Sequence, residues 1–154
     1  MDLGFAISVA PGVAQENLKL VKETVQEMID RYNVGRVRYG FIVFGSSAVL
    51  KIPFTDHLTD PADLKKAVDD ELTSALSSPN LDAALDKAET LFNGSKRDQA
   101  KKILIVIMDK KSPSEPSSVQ VRNIDLLSCL GTKFNCEGTG ITAELATRLR
   151  WFSL

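Results

Sequence analysis

The stretch Ile103-Leu104-Ile105-Val106-Ile107-Met108, closed at once by Asp109, constrains the fold of this chain more than any other segment. It is the longest apolar run in the sequence. Six residues fall far short of the ~20 that a membrane-spanning helix needs. A short run that is apolar at every position, with no polar alternation, fits a strand buried on both faces, as in a parallel sheet covered by helices.

The rest of the chain supplies the partners such a strand needs. Leu3 to Val9 is a second short apolar run, followed by the turn Ala10-Pro11-Gly12. From Ala14 to Tyr32 the residues Leu18, Val21, Val25, Met28 and Ile29 recur at three- and four-residue steps, which predicts an amphipathic helix. Val37 to Phe44 and Ala48 to Phe54 read as strands joined by Gly45-Ser46-Ser47, with Pro53 favouring an edge position for the second. Asp60-Pro61 is a helix start, carrying the cap residue and then proline at the first helical position. A further helix runs from about Leu81 to Phe92 with Ala84, Leu85, Ala88 and Leu91 as its inner stripe. Val119 to Leu130 and Thr142 to Phe152 read as short helices. Strands alternating with crossover helices predict an α/β fold of Rossmann-like type. Its sheet is open and mostly parallel, helices lie on both faces, and the hairpin supplies one antiparallel edge strand.

Length and composition narrow the classes of function. At 154 residues the chain suits one domain with a continuous core, assigned here to 3–154. Nineteen basic and twenty acidic side chains leave a formal charge of −1, which provides no field to hold nucleic acid or an anionic membrane. The chain reaches its first strand by Leu3, so a secreted parent is expected to carry its leader outside this segment. Cys129 and Cys136 are compatible with one disulfide or with two free thiols. Asn93-Gly94-Ser95 matches the glycosylation acceptor pattern and makes Asn93 a candidate on an exposed loop. No nucleophile elbow, phosphate-binding loop or dinucleotide fingerprint is present. The single histidine, His57, has no serine or cysteine partner at a recognisable spacing, and the expectation is a chain without catalytic activity.

Several local sequences in this order resemble the von Willebrand factor A domain, also called the integrin inserted domain. They are Leu3-Gly4-Phe5-Ala6-Ile7-Ser8, Glu16-Asn17-Leu18-Lys19-Leu20-Val21-Lys22, Arg38-Tyr39-Gly40-Phe41-Ile42-Val43-Phe44, Leu81-Asp82-Ala83-Ala84-Leu85-Asp86-Lys87-Ala88 and Ile103 through Asp109. The resemblance covers roughly 3–111, and 112–154 diverges. It implies a ligand site on top of the sheet, where hard oxygen donors hold Mg2+ or Ca2+ and leave a position for a partner's carboxylate. Carried onto this chain, Ser8 stands where the first aspartate belongs, Ala10 and Gly12 replace two serines, and Pro79 replaces the loop threonine beside Ser78 and Asn80. Asp109 alone is retained. Asp109 and Ser8 are therefore the candidate metal ligands, and Ala10, Gly12, Ser78, Asn80 and Lys110 the candidate ligand-face loop residues. The alternative roles are local: Asp109 capping the next turn and Ser8 bonding to nearby backbone.

The expected function is that of a non-enzymatic, extracellular or secreted adhesion or matrix module that binds a protein ligand with weak or no metal dependence. The alternative is a structural or assembly scaffold, extracellular or intracellular, acting through its sheet edge and helical faces. In Thr132 to Gly140 no fifth strand is legible. The fourth strand is then expected to present an apolar edge, either covered by the tail helix with Leu145, Leu149, Trp151 and Phe152 or used for self-association. Insertion into a membrane is not expected.

Overall fold

The computed structural model describes residues 1–8, 15–32, 34–54, 60–72, 79–97, 99–108, 125–130 and 135–139. In chain order the elements are β1 (Asp2–Ser8), α1 (Gln15–Arg31), β2 (Arg38–Phe44), β3 (Ala48–Ile52), α2 (Pro61–Glu71), α3 (Leu81–Asn93), β4 (Lys102–Met108), β5 (Asp125–Leu130) and β6 (Asn135–Thr139). They build one six-stranded sheet in the order β3-β2-β1-β4-β5-β6. The pairs β1–β2, β1–β4 and β4–β5 are parallel, whereas β3 and β6 run antiparallel to their neighbours at the two edges. The α/β, Rossmann-like and mostly parallel sheet expected from sequence is therefore present, with a second hairpin at the far edge.

Period-two alternation along the central strands divides their side chains between two apolar layers. Leu3, Phe5 and Ile7 of β1, Tyr39, Phe41 and Val43 of β2, and Ile103, Ile105 and Ile107 of β4 pack with Val25, Met28 and Ile29 of α1 and Leu64 and Val68 of α2. Ala6, Ile42, Phe44, Leu104 and Val106 face the other way, onto Leu81, Ala84, Leu85, Ala88, Leu91 and Phe92 of α3. β4 is buried from Ile103 to Ile107 because each face meets a different helical layer. Phe5 and Phe41, opposed in register, stack at 5.1 Å.

Two glycines set how closely α3 approaches. Gly4 and Gly40 are register partners on β1 and β2. A Cβ on Gly4 would lie 2.9 Å from Phe92 Cζ, and one on Gly40 would lie 2.8 Å from Leu91 Cδ2. The bare backbone leaves room for the last turn of α3 to seat against the sheet.

Local signals account for the helix starts. Asp60 caps α2, accepting from the Ala62 amide at 2.7 Å with Pro61 behind it. Asn80 caps α3, accepting from the Ala83 amide at 3.3 Å. On the α1 side, the buried Tyr39 hydroxyl donates within reach of the carbonyls of Met28 (3.3 Å) and Tyr32 (3.0 Å), fastening β2 to the end of α1. Desolvation by burial, reinforced by Tyr32 and Asp30, raises the Tyr39 phenol well above its ordinary value of 10.0.

Three expectations need correction. Asp125–Leu130 is a strand rather than part of a helix, and it pairs in parallel with β4 from Ile103↔Asp125 to Met108↔Leu130. A strand also exists within Thr132 to Gly140, namely β6. β4 is consequently an interior strand flanked by β1 and β5, and the apolar fourth-strand edge inferred as a self-association surface is closed. The tail helix expected to cover that edge lies outside the described residues.

Candidate functional site

The chain leaves β1 through α1 toward β2 on one side and later returns through α3 to β4 on the other, so the strand order reverses between β1 and β4. At such a switch point the connections diverge above the carboxyl ends of the strands, and a crevice opens there in open α/β sheets. Ser8 and Met108, the last residues of the two strands, are register partners at that place.

Ser8 is 5% exposed, and its hydroxyl has no hydrogen-bond partner among the described residues. Bonding of Ser8 to nearby backbone, the local role considered for it, is not observed among those residues.

The start of α3 reaches the same end of the sheet. The Asn80 amide donates to the Gly45 carbonyl at 2.8 Å, immediately beyond β2, while the Asn80 side chain is committed to its cap. Asn80, expected as a ligand-face residue, is thus engaged in holding α3 in place. Asp82, in the first turn of α3, carries no sequence signal that marks it as a site residue. Its Oδ1 is a second buried oxygen with no partner among the described residues. An acid in the first turn of a helix is favoured by the helix dipole, and this gives Asp82 an ordinary reason to be there.

Of the other residues expected at the site, Pro79 is buried and Asn93 is exposed at the end of α3. Ser95, the third residue of the glycosylation triplet, is 2% exposed, and its Oγ accepts from the Arg97 amide at 3.3 Å. Ala10, Gly12, Ser78, Asp109 and Lys110 lie outside the described residues.

The residues present fit a divalent cation poorly. Magnesium and calcium are held by several hard oxygens, usually with carboxylates among them. Ser8 offers one neutral hydroxyl, Ala10, Gly12 and Pro79 bring no side-chain oxygen to the places the resemblance assigns them, and Asp109 is the one carboxylate retained in the sequence. Asp82 adds a buried carboxylate oxygen, without a partner among the described residues, that the resemblance does not call for. Among the described residues no three of His, Cys, Asp and Glu gather as a metal cluster.

The opposite end of the sheet is built differently. Asp2, fully buried, pairs through Oδ1 with Arg97 Nη1 at 3.1 Å and takes its place through its amide, which donates to the Lys101 carbonyl at 2.8 Å. Arg38 Nη1 donates to the Ser95 carbonyl at 3.1 Å. These contacts tie the α3–β4 connection to the entry of β1 and β2. The shallow hollow of about 600 Å³ beside them, lined by Met1, Lys96, Arg97, Gln99, Ala100 and Lys101, exposes a cationic rim, but Arg97 is already neutralised by Asp2.

Comparison with known proteins agrees with this geometry. The family model described as the von Willebrand factor type A domain matches residues 2–132. Among solved structures, proximal thread matrix protein 1 from the mussel byssus superposes with a TM-score of 0.72 at 17% identity, covering 84% of this chain. This chain spans 35% of that protein's length, and the same protein has been solved with a zinc-occupied MIDAS motif. Manganese-loaded TRAP protein from Plasmodium vivax gives a TM-score of 0.70 at 18% identity, covering 97% of this chain and 61% of that one. BatB from Bacteroides thetaiotaomicron gives 0.68 at 15% identity, covering 99% and 86%. No helix among the described residues is long and apolar enough to cross a membrane.

Proposed function

This chain belongs to the von Willebrand factor type A domain family, and on that premise we propose that it is an extracellular adhesion or matrix module that binds a protein ligand without a bridging metal. The observation that carries the reading is the end of β1. There the family's leading carboxylate is replaced by Ser8, whose buried hydroxyl has no partner among the described residues. Ala10, Gly12 and Pro79 remove further donors and leave Asp109 as the one carboxylate kept from the family's set, too little charge to offset dehydrating a divalent ion. Recognition then rests on direct contacts from the segments that follow β1 and β4 and precede α3 in the sequence, with Lys110 and Ser78 as polar contributors beside Ala10 and Gly12. Catalysis has no place in this reading. Support for the extracellular setting comes from the mussel byssus protein and from exposed Asn93 in its acceptor triplet.

The test pairs stability with binding. Thermal melting in excess magnesium, calcium or manganese, and again in chelator, is expected to give the same midpoint, since a ligand that does not bind the native state cannot stabilise it. Retention on immobilised matrix proteins is expected to survive the chelator and to weaken when Lys110 is changed to Glu. A midpoint that rises with metal concentration refutes the metal-free reading, and failure to bind any matrix protein refutes the adhesion role. The scaffold alternative draws on a separate feature. Among the described residues β3 is paired on one side only, and it carries Val49 at 47% exposure, an edge suited to another strand.

A further inference from the structure

We propose that Cys129 and Cys136 form an intramolecular cross-strand disulfide that closes the β5–β6 hairpin at the edge of the sheet. Their spacing in sequence is compatible with a bridge or with two thiols, but the strand register is more specific. β5 and β6 pair antiparallel from Leu126↔Thr139 to Leu130↔Asn135, and Cys129↔Cys136 is one of the opposed pairs, next to the end where residues 131–134 connect the strands. Opposed residues of an antiparallel pair have Cα atoms about 4.5 or 5.5 Å apart, depending on which kind of pair they occupy. Both values fall in the range of roughly 4.4–6.8 Å that a disulfide spans without backbone movement. Directly opposed residues also project to the same face of the sheet. A slip of one residue in register would place the two cysteines on opposite faces and forbid the bond.

The position gives the bond a purpose. Among the described residues β6 is the outermost strand and β5 is its one strand neighbour. A covalent tie across the hairpin keeps β6 paired, and β6 in turn covers β5, which closes the flank of β4. The oxidant is a low-molecular-weight disulfide such as oxidised glutathione. One cysteine thiolate attacks it, forming a mixed disulfide and expelling one reduced glutathione. The second thiolate then attacks the protein sulfur of that mixed disulfide and expels the other. Two protein thiols lose two electrons and two protons, and one glutathione disulfide becomes two thiols. Such a bond persists in an oxidising compartment. It does not depend on whether the top of the sheet binds a partner.

The experiment is non-reducing peptide mapping of the full chain. The protein is equilibrated with excess oxidised glutathione, remaining thiols are alkylated, and trypsin is added without reductant. Trypsin cleaves after Arg122, Lys133 and Arg148, so the bridge joins peptides 123–133 and 134–148. The expected product is that pair, lighter by two hydrogens than the separate peptides and absent from the Cys129→Ser variant. The oxidised protein is expected to melt roughly 5–10 °C above its reduced form, a difference lost in the Cys129→Ser/Cys136→Ser double variant. Alkylated or glutathione-capped cysteines after equilibration, or a bridge between two chains, overturn the proposal. Equal melting of the bridged and reduced forms overturns the claim that the bond fastens the edge.

Discussion

Replacing Gly40 by Ala tests how α3 is seated on the sheet. The new Cβ would lie 2.8 Å from Leu91 Cδ2, 2.9 Å from Leu91 Cδ1 and 3.1 Å from Phe54 Cε1. Leu91 is 2% exposed and enclosed by the α3 layer, so its methyl groups have little space into which to retreat. Overpacking of a closed core costs about 1–3 kcal/mol. Losing a glycine from a strand returns about 0.5–1 kcal/mol through the unfolded chain. The net expectation for Gly40→Ala is a destabilisation of about 1–2 kcal/mol. Leu91→Ala alone leaves a cavity and should cost about 2–5 kcal/mol. In the double variant the two Leu91 contacts are gone, the 3.1 Å approach to Phe54 alone remains, and the added methyl fills part of the void, so the two losses should not add. The shortfall is expected to be at least about 1 kcal/mol, measured by urea denaturation of all four proteins in a double-mutant cycle. Additivity within about 0.5 kcal/mol would refute the claim that Gly40 exists to admit Leu91.

Two further outcomes follow from buried polar groups. Arg97→Met should destabilise the protein by about 2–3 kcal/mol, because it strands the fully buried Asp2 carboxylate, with a discount for the partial exposure of Arg97. The loss should shrink when Asp2 is already Asn, and equal losses in both backgrounds would show that the ion pair is not what Arg97 contributes. Tyr39 predicts an alkaline limit: its native phenol ionises well above its ordinary value of 10.0, so its contribution is fully present below that value and is lost as pH rises beyond it. The slope due to this group is about 1.4 kcal/mol per pH unit above pH ~10, and Tyr39→Phe should remove it. Indistinguishable alkaline melting profiles for the two proteins would contradict this.

Much of the sheet was legible because β1, β2 and β4 are buried on both faces, and a strand in that position must be apolar throughout. α2 and α3 announced themselves through Asp60-Pro61 and through the Ala84, Leu85, Ala88, Leu91 stripe. β5 is not legible as a strand, because Asp125-Leu126-Leu127-Ser128-Cys129-Leu130 carries apolar residues at spacings that suit a short helix equally well. Its pairing with β4, a contact far away in sequence, decides the matter. β6, Asn135-Cys136-Glu137-Gly138-Thr139, has almost no apolar signature and needs none, since an edge strand is held largely by backbone hydrogen bonds. At the candidate site the replacements at 8, 10, 12 and 79 were visible in the sequence. The burial of the Ser8 and Asp82 oxygens was not, because burial depends on how strands and helices distant in sequence pack together.

The place of β1 in the strand order bears on how the protein is made. β1 is synthesised before the other described elements, yet one of its two neighbours is β4, with Asp2 paired to Lys102. At about 5–20 residues per second, that partner follows roughly 5–20 s later. During this interval Leu3 to Ile7, among the most completely buried residues of the finished domain, have a strand on one side only. The nascent chain therefore passes through a period in which its central strand is its stickiest open edge, and any pause before β4 emerges lengthens its exposure to aggregation.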